Sequence, residues 1–350
     1  MSKEIKVVNA GLLTTIQDKG RYGFQASGVQ VSGVMDGIAA ELANALVGNK
    51  AEAAVLECTF LGPELEFQAE SLVAVTGGMP ELLLDGQAVQ PYMAIKVRQG
   101  QRLKVGAQKD GMRAYIAVAG GIDVPEAMGS RATNLKLGIG GIDGRKLAAG
   151  DMLPVGKPAE AGLAMLQGRQ ALRQVPVPQQ TAGIKRIRVV LGPQEDYFSQ
   201  AAIEAFQTEI YRVSNDSDRM GYRLEGKAVE KTKTQDLITD GIVFGSVQIP
   251  PNGQPIIMLA DHQTTGGYPK LATVATADLP VLAQSKPGDQ LQFQAVSVDE
   301  AQQLLRQQRQ ELEAAIAAME KAPYKLSARA KQYKLKINGE SFDVTIDEIK

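Results

Sequence analysis

The segment GSVQIPPNGQPIIMLADHQTTGGYP, Gly245–Pro269, sets Gln248, Asp261, His262, Gln263, Thr264, Thr265 and Tyr268 around one apolar run and the turn that leaves it. Polar side chains this dense at a strand end need a ligand, water or one another to satisfy their hydrogen bonds. His262 is the only histidine in 350 residues. Its imidazole can exchange protons near neutral pH, although a lone histidine is more often structural than catalytic. Two other segments are as rich in hydrogen-bonding groups: GSRATNLKLGIGGIDGRKLAAGD, Gly129–Asp151, and VSNDSDRMGYRLEG, Val213–Gly226. Each places one arginine, Arg131 or Arg219, among small polar residues. A guanidinium fork there can grip a carboxylate, or it can pin a loop through a salt bridge. Both readings stay open.

The elements that must hold these residues are mostly strands. Short β-branched runs punctuated by Gly, Pro and Asp, such as IKVVNAG, SLVAVTGG, ELLLDGQAV, RLKVGA, RAYIAVAGG, KRIRVVLG, PIIMLAD and QLQFQAVSV, predict a mainly β fold with some α, as a barrel or sandwich. Helices are expected at MDGIAAELANALVG, between Asp36 and Gly48, at DYFSQAAIEAFQTE, and from Val298 to Lys321. The last begins with the capping box Ser297-x-x-Glu300 and carries Leu304, Leu305, Leu312, Ile316 and Met319 on one face.

One pattern occurs twice. T-G-G-x-P-x-L is written at Thr76, Gly77, Gly78, Pro80 and Leu82, and again at Thr265, Gly266, Gly267, Pro269 and Leu271. An apolar run precedes each copy, and a Gly-turn feeding a strand follows each, QGQRLKVG in one and PGDQLQFQ in the other. QDKGRYGF loosely answers SDRMGYRL upstream. This order implies an internal duplication: a first β-barrel domain over 1–172, a linker over 173–183, a second barrel over 184–297, the helix over 298–321, and a linker with hairpin over 322–350. Adjacent glycines permit positive φ and close approach of backbone or ligand, so each T-G-G is either a tight corner or part of a site.

Charge and motifs exclude much. With 38 basic and 39 acidic residues interspersed, no footprint for nucleic acid or an anionic membrane surface appears. No apolar run approaches a membrane span and MSKEIKVVNAG lacks a signal-peptide core, so a cytoplasmic location is expected. A single cysteine, Cys58, fits a reducing compartment. One His and one Cys cannot build an N/S zinc site, and no metal site is expected. GIGGIDG has Asp143 where a dinucleotide fingerprint needs glycine, and neither a P-loop nor a G-x-S-x-G elbow occurs.

TIQDKGRYGFQASGVQVSGVMD, AVTGG, GSRATNLKLGIGGIDGRKLAAGD, SDRMGYRL and SVQIPPNGQPIIMLADHQTTGGYPKLA, in this order, closely resemble the biotin-dependent carboxyltransferase-like family, in particular its branch of 5-oxoprolinase C subunits (Kip antagonists). The resemblance implies two cyclophilin-like β-barrels. It also implies an enzyme subunit working with two others, a Kip-inhibitor-like B subunit of 5-oxoprolinase plus its A subunit, in ATP-dependent opening of 5-oxo-L-proline to L-glutamate. A related branch transfers carboxyl from carboxybiotin to urea, and another reading is regulatory sequestration of a kinase inhibitor. On this resemblance Arg131 or Arg219 would pair the substrate carboxylate. Thr264, Thr265, Gly266 and Gly267 would surround a carbonyl or phosphoryl oxygen, with Gln248 and Tyr268 beside the substrate. His262 or Asp261 would relay a proton or orient the amide N–H. ATP is expected through the complex, and biotin only through a separate carrier. The terminal YKLKINGESFDVTIDEI resembles the opening hairpin of a biotinyl carrier, with Asn338-Gly339 as its turn, but no A-M-K-M-like segment follows within the chain.

Overall fold

The computed structural model of the chain describes residues 3–158, 166–170, 180–181, 183–233, 237–321, 331–337 and 340–346. The first half folds into two antiparallel sheets. One holds, in spatial order, Met152–Val155, Lys3–Asn9, Glu64–Phe67, Arg102–Gln108, Pro80–Leu84 and Gln87–Val89. The other holds Leu13–Gln17, Val55–Thr59, Arg113–Val118, Ser71–Gly77 and Ile95–Val97. Alternation decides which side chains meet: Leu65, Phe67, Leu103 and Val105 pack with Cys58, Val73, Val75 and Ile116 in one core.

The three middle strands of the second sheet are buried on both faces. The helix Gly37–Leu46 covers their far side, packing Ala39, Ala43 and Leu46 against Leu72, Tyr115 and Ala117. Its small residues let it lie close to the sheet. Asp36 caps it by accepting the Ala39 N–H at 3.0 Å, and Gly48 ends it at φ 72°, both as expected from sequence.

In the second half seven strands form a ring. Ile184–Leu191, Lys270–Val274, Ser246–Gln248, Ile256–Met258, Gly221–Glu225, Tyr211–Val213 and Gln290–Ala295 pair in that order, and the last pairs in parallel with the first. Ile187, Val189, Leu291 and Phe293 fill the interior, while the preceding Arg186 and Gln290 are exposed and the intervening Arg188 and Gln292 half-buried. The helix Gln200–Thr208, capped by Ser199, closes one end with Ile203 and Phe206. The mainly β, barrel-type fold expected from sequence is the one the chain adopts.

Three details differ from expectation. ELLLDGQAV is a hairpin, because Asp85 and Gly86 take φ of 49° and 82° and reverse the chain. The long helix stops at Ala317, and Glu320–Lys321 instead pairs with Arg169–Gln170. Finally, the strand after the first T-G-G pairs directly with its Gly-turn strand, Leu83 opposite Lys104, whereas Ile184–Leu191 separates the corresponding strands in the second half. Order along the chain repeats, but partners do not.

Most of the expected linker 173–183, together with residues 322–330 and the turn at Asn338-Gly339, lies outside the described residues. The hairpin strands Lys331–Ile337 and Glu340–Ile346 do pair antiparallel, Leu335 opposite Phe342. Among the described residues they pair with no other strand.

Candidate functional site

The halves meet through buried groups that neither could satisfy alone. Met35 and Met112 of the first half are buried in the core of the second. Around them runs a polar chain. Glu57 accepts from the Met35 amide at 2.8 Å and from the Tyr115 hydroxyl at 2.9 Å, and it pairs with Arg219. Arg219 extends to Asp261 at 2.8 Å and to the Gly33 carbonyl at 2.7 Å. Arg113 donates to the Tyr222 hydroxyl at 2.8 Å and to the Ala283 carbonyl at 2.6 Å. Gln284 accepts from the Met112 and Arg113 amides and donates to Asp36 at 2.9 Å. Burial would lower the pKa of Arg219, but Asp261 and Glu57 outweigh it and hold the guanidinium above its ordinary value. Burial raises the pKa of Asp36, with Gln284 partly offsetting it.

Above this network lies a cleft of about 470 Å³. Its walls come from the loop Asp18–Val34 and helix Gly37–Leu46 of the first half, from Ile242–Phe244 and His262 of the second, and from Leu305 and Arg309 of the C-terminal helix. Most of the lining is apolar, with a few polar groups, the usual composition of a small-molecule site. Ser32 ties the two halves beneath it by donating its amide to the Ala260 carbonyl at 3.1 Å. Asn134, from the loop Gly129–Gly144, donates to Gln30 at 2.7 Å and to Ser32 at 2.9 Å, fixing the wall from behind. That loop folds tightly on itself: a Cβ on Gly144 would collide with the Gly138 backbone.

His262 is 3% exposed. Its Nδ1 lies 2.7 Å from the Gln263 carbonyl oxygen, which can only accept, so Nδ1 carries the hydrogen. Burial lowers the pKa of the ring, against smaller opposing effects of Gln263 and Asp261. The ring is therefore harder to protonate than a free imidazole, which favours the form whose Nε2 keeps a lone pair for a proton or a donor.

The other residues expected at the site separate. Arg219 and Asp261 are engaged with each other beneath His262, and neither lines the cleft. Arg131 spends its fork on Val124, Glu126 at 2.7 Å and Asp123 at 3.0 Å, so the loop-pinning alternative is realised for both arginines. Its backbone N–H nevertheless holds Asp18, a cleft residue, at 2.6 Å. Gln248 and Tyr268 line a different hollow, of about 690 Å³, on the outer face of the second barrel together with Gln263. His262 and Gln263 thus serve opposite sides of one strand exit, and the expected single hollow is divided in two.

Thr265-Gly266 pairs with Asp240-Gly241, and the Thr264 carbonyl accepts the Ile242 amide at 3.0 Å, which positions the cleft wall at Ile242–Phe244. Neither Gly266 nor Gly267 has positive φ; a Cβ on Gly266 would lie 2.6 Å from Ile242 and 2.8 Å from Gln248. The first copy is a corner: Thr76 donates to the Ala39 carbonyl at 2.6 Å, and Gly77 turns at φ 90° against the Arg113 carbonyl. Cys58 is buried with its thiol pushed up to about 12, which removes it as a nucleophile. Sequence reasoning did not single out Asp18, Lys19, Ser32, Glu57, Arg113 or Gln284 as site residues, although the first three sit in the motif TIQDKGRYGFQASGVQVSGVMD.

Comparison with known proteins agrees with this architecture. The model of the carboxyltransferase domain, subdomain A and B, matches residues 27–295. The C subunit of 5-oxoprolinase from Escherichia coli (strain K12) is 42% identical over 297 residues, 85% of this chain and 93% of that protein. Its counterpart from Haemophilus influenzae (strain ATCC 51907 / DSM 11121 / KW20 / Rd) is 38% identical over 306 residues, 86% and 94% of the two chains. The crystal structure of a K. lactis urea amidolyase superimposes with a TM-score of 0.82 at 31% identity, over 90% of this chain and 20% of that one. The Kluyveromyces lactis urea carboxylase gives a TM-score of 0.79 at 30% identity, over 99% of this chain and 33% of that one. This chain therefore spans about a fifth and a third of those two enzymes. The match runs through both halves and so through the cleft they share: the chain belongs to the carboxyltransferase domain, subdomain A and B, family.

Proposed function

We propose that this chain is the C subunit of an ATP-dependent 5-oxoprolinase, converting 5-oxo-L-proline to L-glutamate together with the A and B subunits. The observation that carries this reading is the 42% identity with a 5-oxoprolinase C subunit over 93% of that protein's length. The cleft between the halves is the substrate site. A lactam is a poor electrophile, and ATP, entering through the complex, supplies the activation of its oxygen. This chain's part is to exclude water from all but the reacting position and to accept a proton. His262 Nε2 is the acceptor, from the ring N–H or from the attacking water. Asp261 and Arg219 hold the strand exit beneath it.

Mixing this chain with the A and B subunits tests the reading directly. Oxoproline-dependent ATP hydrolysis and glutamate release that require this chain are expected, and a mixture of the other two subunits equally active without it would overturn the proposal. The fit to urea carboxylase over 99% of the chain favours one second reading, carboxyl transfer to urea or a similar amide. That reading needs a biotinylated carrier, and carboxylation of urea in its presence would replace the first.

A further inference from the structure

With Arg131 and Arg219 committed to protein carboxylates, the cleft needs another group if its ligand is anionic. Among the described residues two Lys or Arg side chains line it, Lys19 and Arg309. Arg309 is held by Glu41 at 2.8 Å and by Glu313 at 3.0 Å. Among the described residues Lys19 pairs only with Glu52, at 4.0 Å, with both side chains more than half exposed, a contact that contributes little. The acidic groups nearby are already satisfied. Asp18 accepts from the Gly20 amide at 2.8 Å, the Ser130 hydroxyl at 2.6 Å and the Arg131 amide at 2.6 Å.

A second positive charge stands two residues on. The guanidinium of Arg21 is 1% exposed, and its hydrogen bonds go to the carbonyls of Ala127 and Ala132 rather than to a carboxylate. Among the described residues its Nη1 has no hydrogen-bond partner. The carboxylates of Asp18 and Asp261 nevertheless act on the charge of Arg21. Lys19 is therefore the cation of the cleft wall that the protein engages least, and the imidazole of His262 lines the same cleft.

We propose that Lys19 is the anion-recognising group of the cleft, binding the carboxylate of a compact ligand whose amide or carbonyl end reaches His262. Under the oxoprolinase reading, on which the identity of this ligand rests, the carboxylate is that of 5-oxoproline. The recognition itself requires only a small carboxylate joined to an amide.

The lone histidine makes the test clean. Its imidazole resonances report on the cleft in the chain alone and in the complex with the A and B subunits. Titration with 5-oxoproline should shift them, and 2-pyrrolidinone, the same ring without the carboxylate, should bind more weakly by about 10- to 100-fold, the range for one charged hydrogen bond. Lys19→Met should weaken oxoproline to the level of pyrrolidinone and leave pyrrolidinone unchanged. In the complex it should raise KM with kcat little altered, and Lys19→Arg should recover part of the loss. Equal binding of the two rings, an unchanged affinity in Lys19→Met, or no shift of the imidazole in either preparation overturns the proposal. Lys19-dependent carboxylate binding in a complex without oxoprolinase turnover would keep the recognition site and remove the assigned reaction.

Discussion

An imidazole with one nitrogen committed to a carbonyl can use the other as a base, and the environment of His262 sets up that arrangement. Burial holds its pKa below the ordinary value. In the complex, His262→Ala should lower kcat by about 100-fold or more, the contribution of a positioned acid–base group, with a smaller change in KM. The same shift bears on stability. An unfolded histidine titrates near about 6.5, so between that value and the lower folded one the unfolded chain binds more protons, and stability falls as pH drops. Chemical denaturation at neutral and mildly acidic pH should show a larger acid loss for the native chain than for His262→Asn. Arg219 is a different kind of residue. Replacing it with Met strands Glu57 and Asp261 in a buried site and should cost about 3–5 kcal/mol of unfolding free energy. An effect confined to KM would instead make Arg219 a substrate ligand.

At the scale of elements, the two T-G-G copies should respond differently to alanine. Gly77→Ala meets both a positive φ and the immovable Arg113 carbonyl. Gly266→Ala meets only the ends of the Ile242 and Gln248 side chains, and should cost about 1–3 kcal/mol, the range for local overpacking. Gly77→Ala should be the more damaging in thermal melts, and the reverse order would contradict the geometry. Much at this scale was legible beforehand. Asp36 and Gly48 bracket their helix as written, the Ser297–Glu300 box forms both its bonds, and KRIRVVLG falls on the strand Ile184–Leu191. The division of the site was not. His262 and Gln263 lie in the turn that leaves the strand Ile256–Met258, where strand alternation no longer says which way each side chain faces. Nor could the sequence tell whether Arg131 would meet Asp123 and Glu126 or a substrate, since both offer a carboxylate.

For the whole molecule, the junction matters more than either half. Glu57 and Arg113 come from one half, Arg219, Asp261 and Gln284 from the other, so separating the halves would expose charges that now satisfy each other. The two should unfold in one transition by fluorescence and by calorimetry, and resolved transitions would show that the junction couples them weakly. The ring of strands in the second half has a further consequence for assembly. A sheet closed on itself has no open rim of amides and carbonyls along which a neighbouring polypeptide could lengthen it. Among the described residues, proteins recruited by strand extension must therefore use strands outside the ring, such as the outermost ones of the first half, Gln87–Val89, Met152–Val155, Leu13–Gln17 or Ile95–Val97, or the terminal hairpin, and leave the barrel's flank to side-chain contacts.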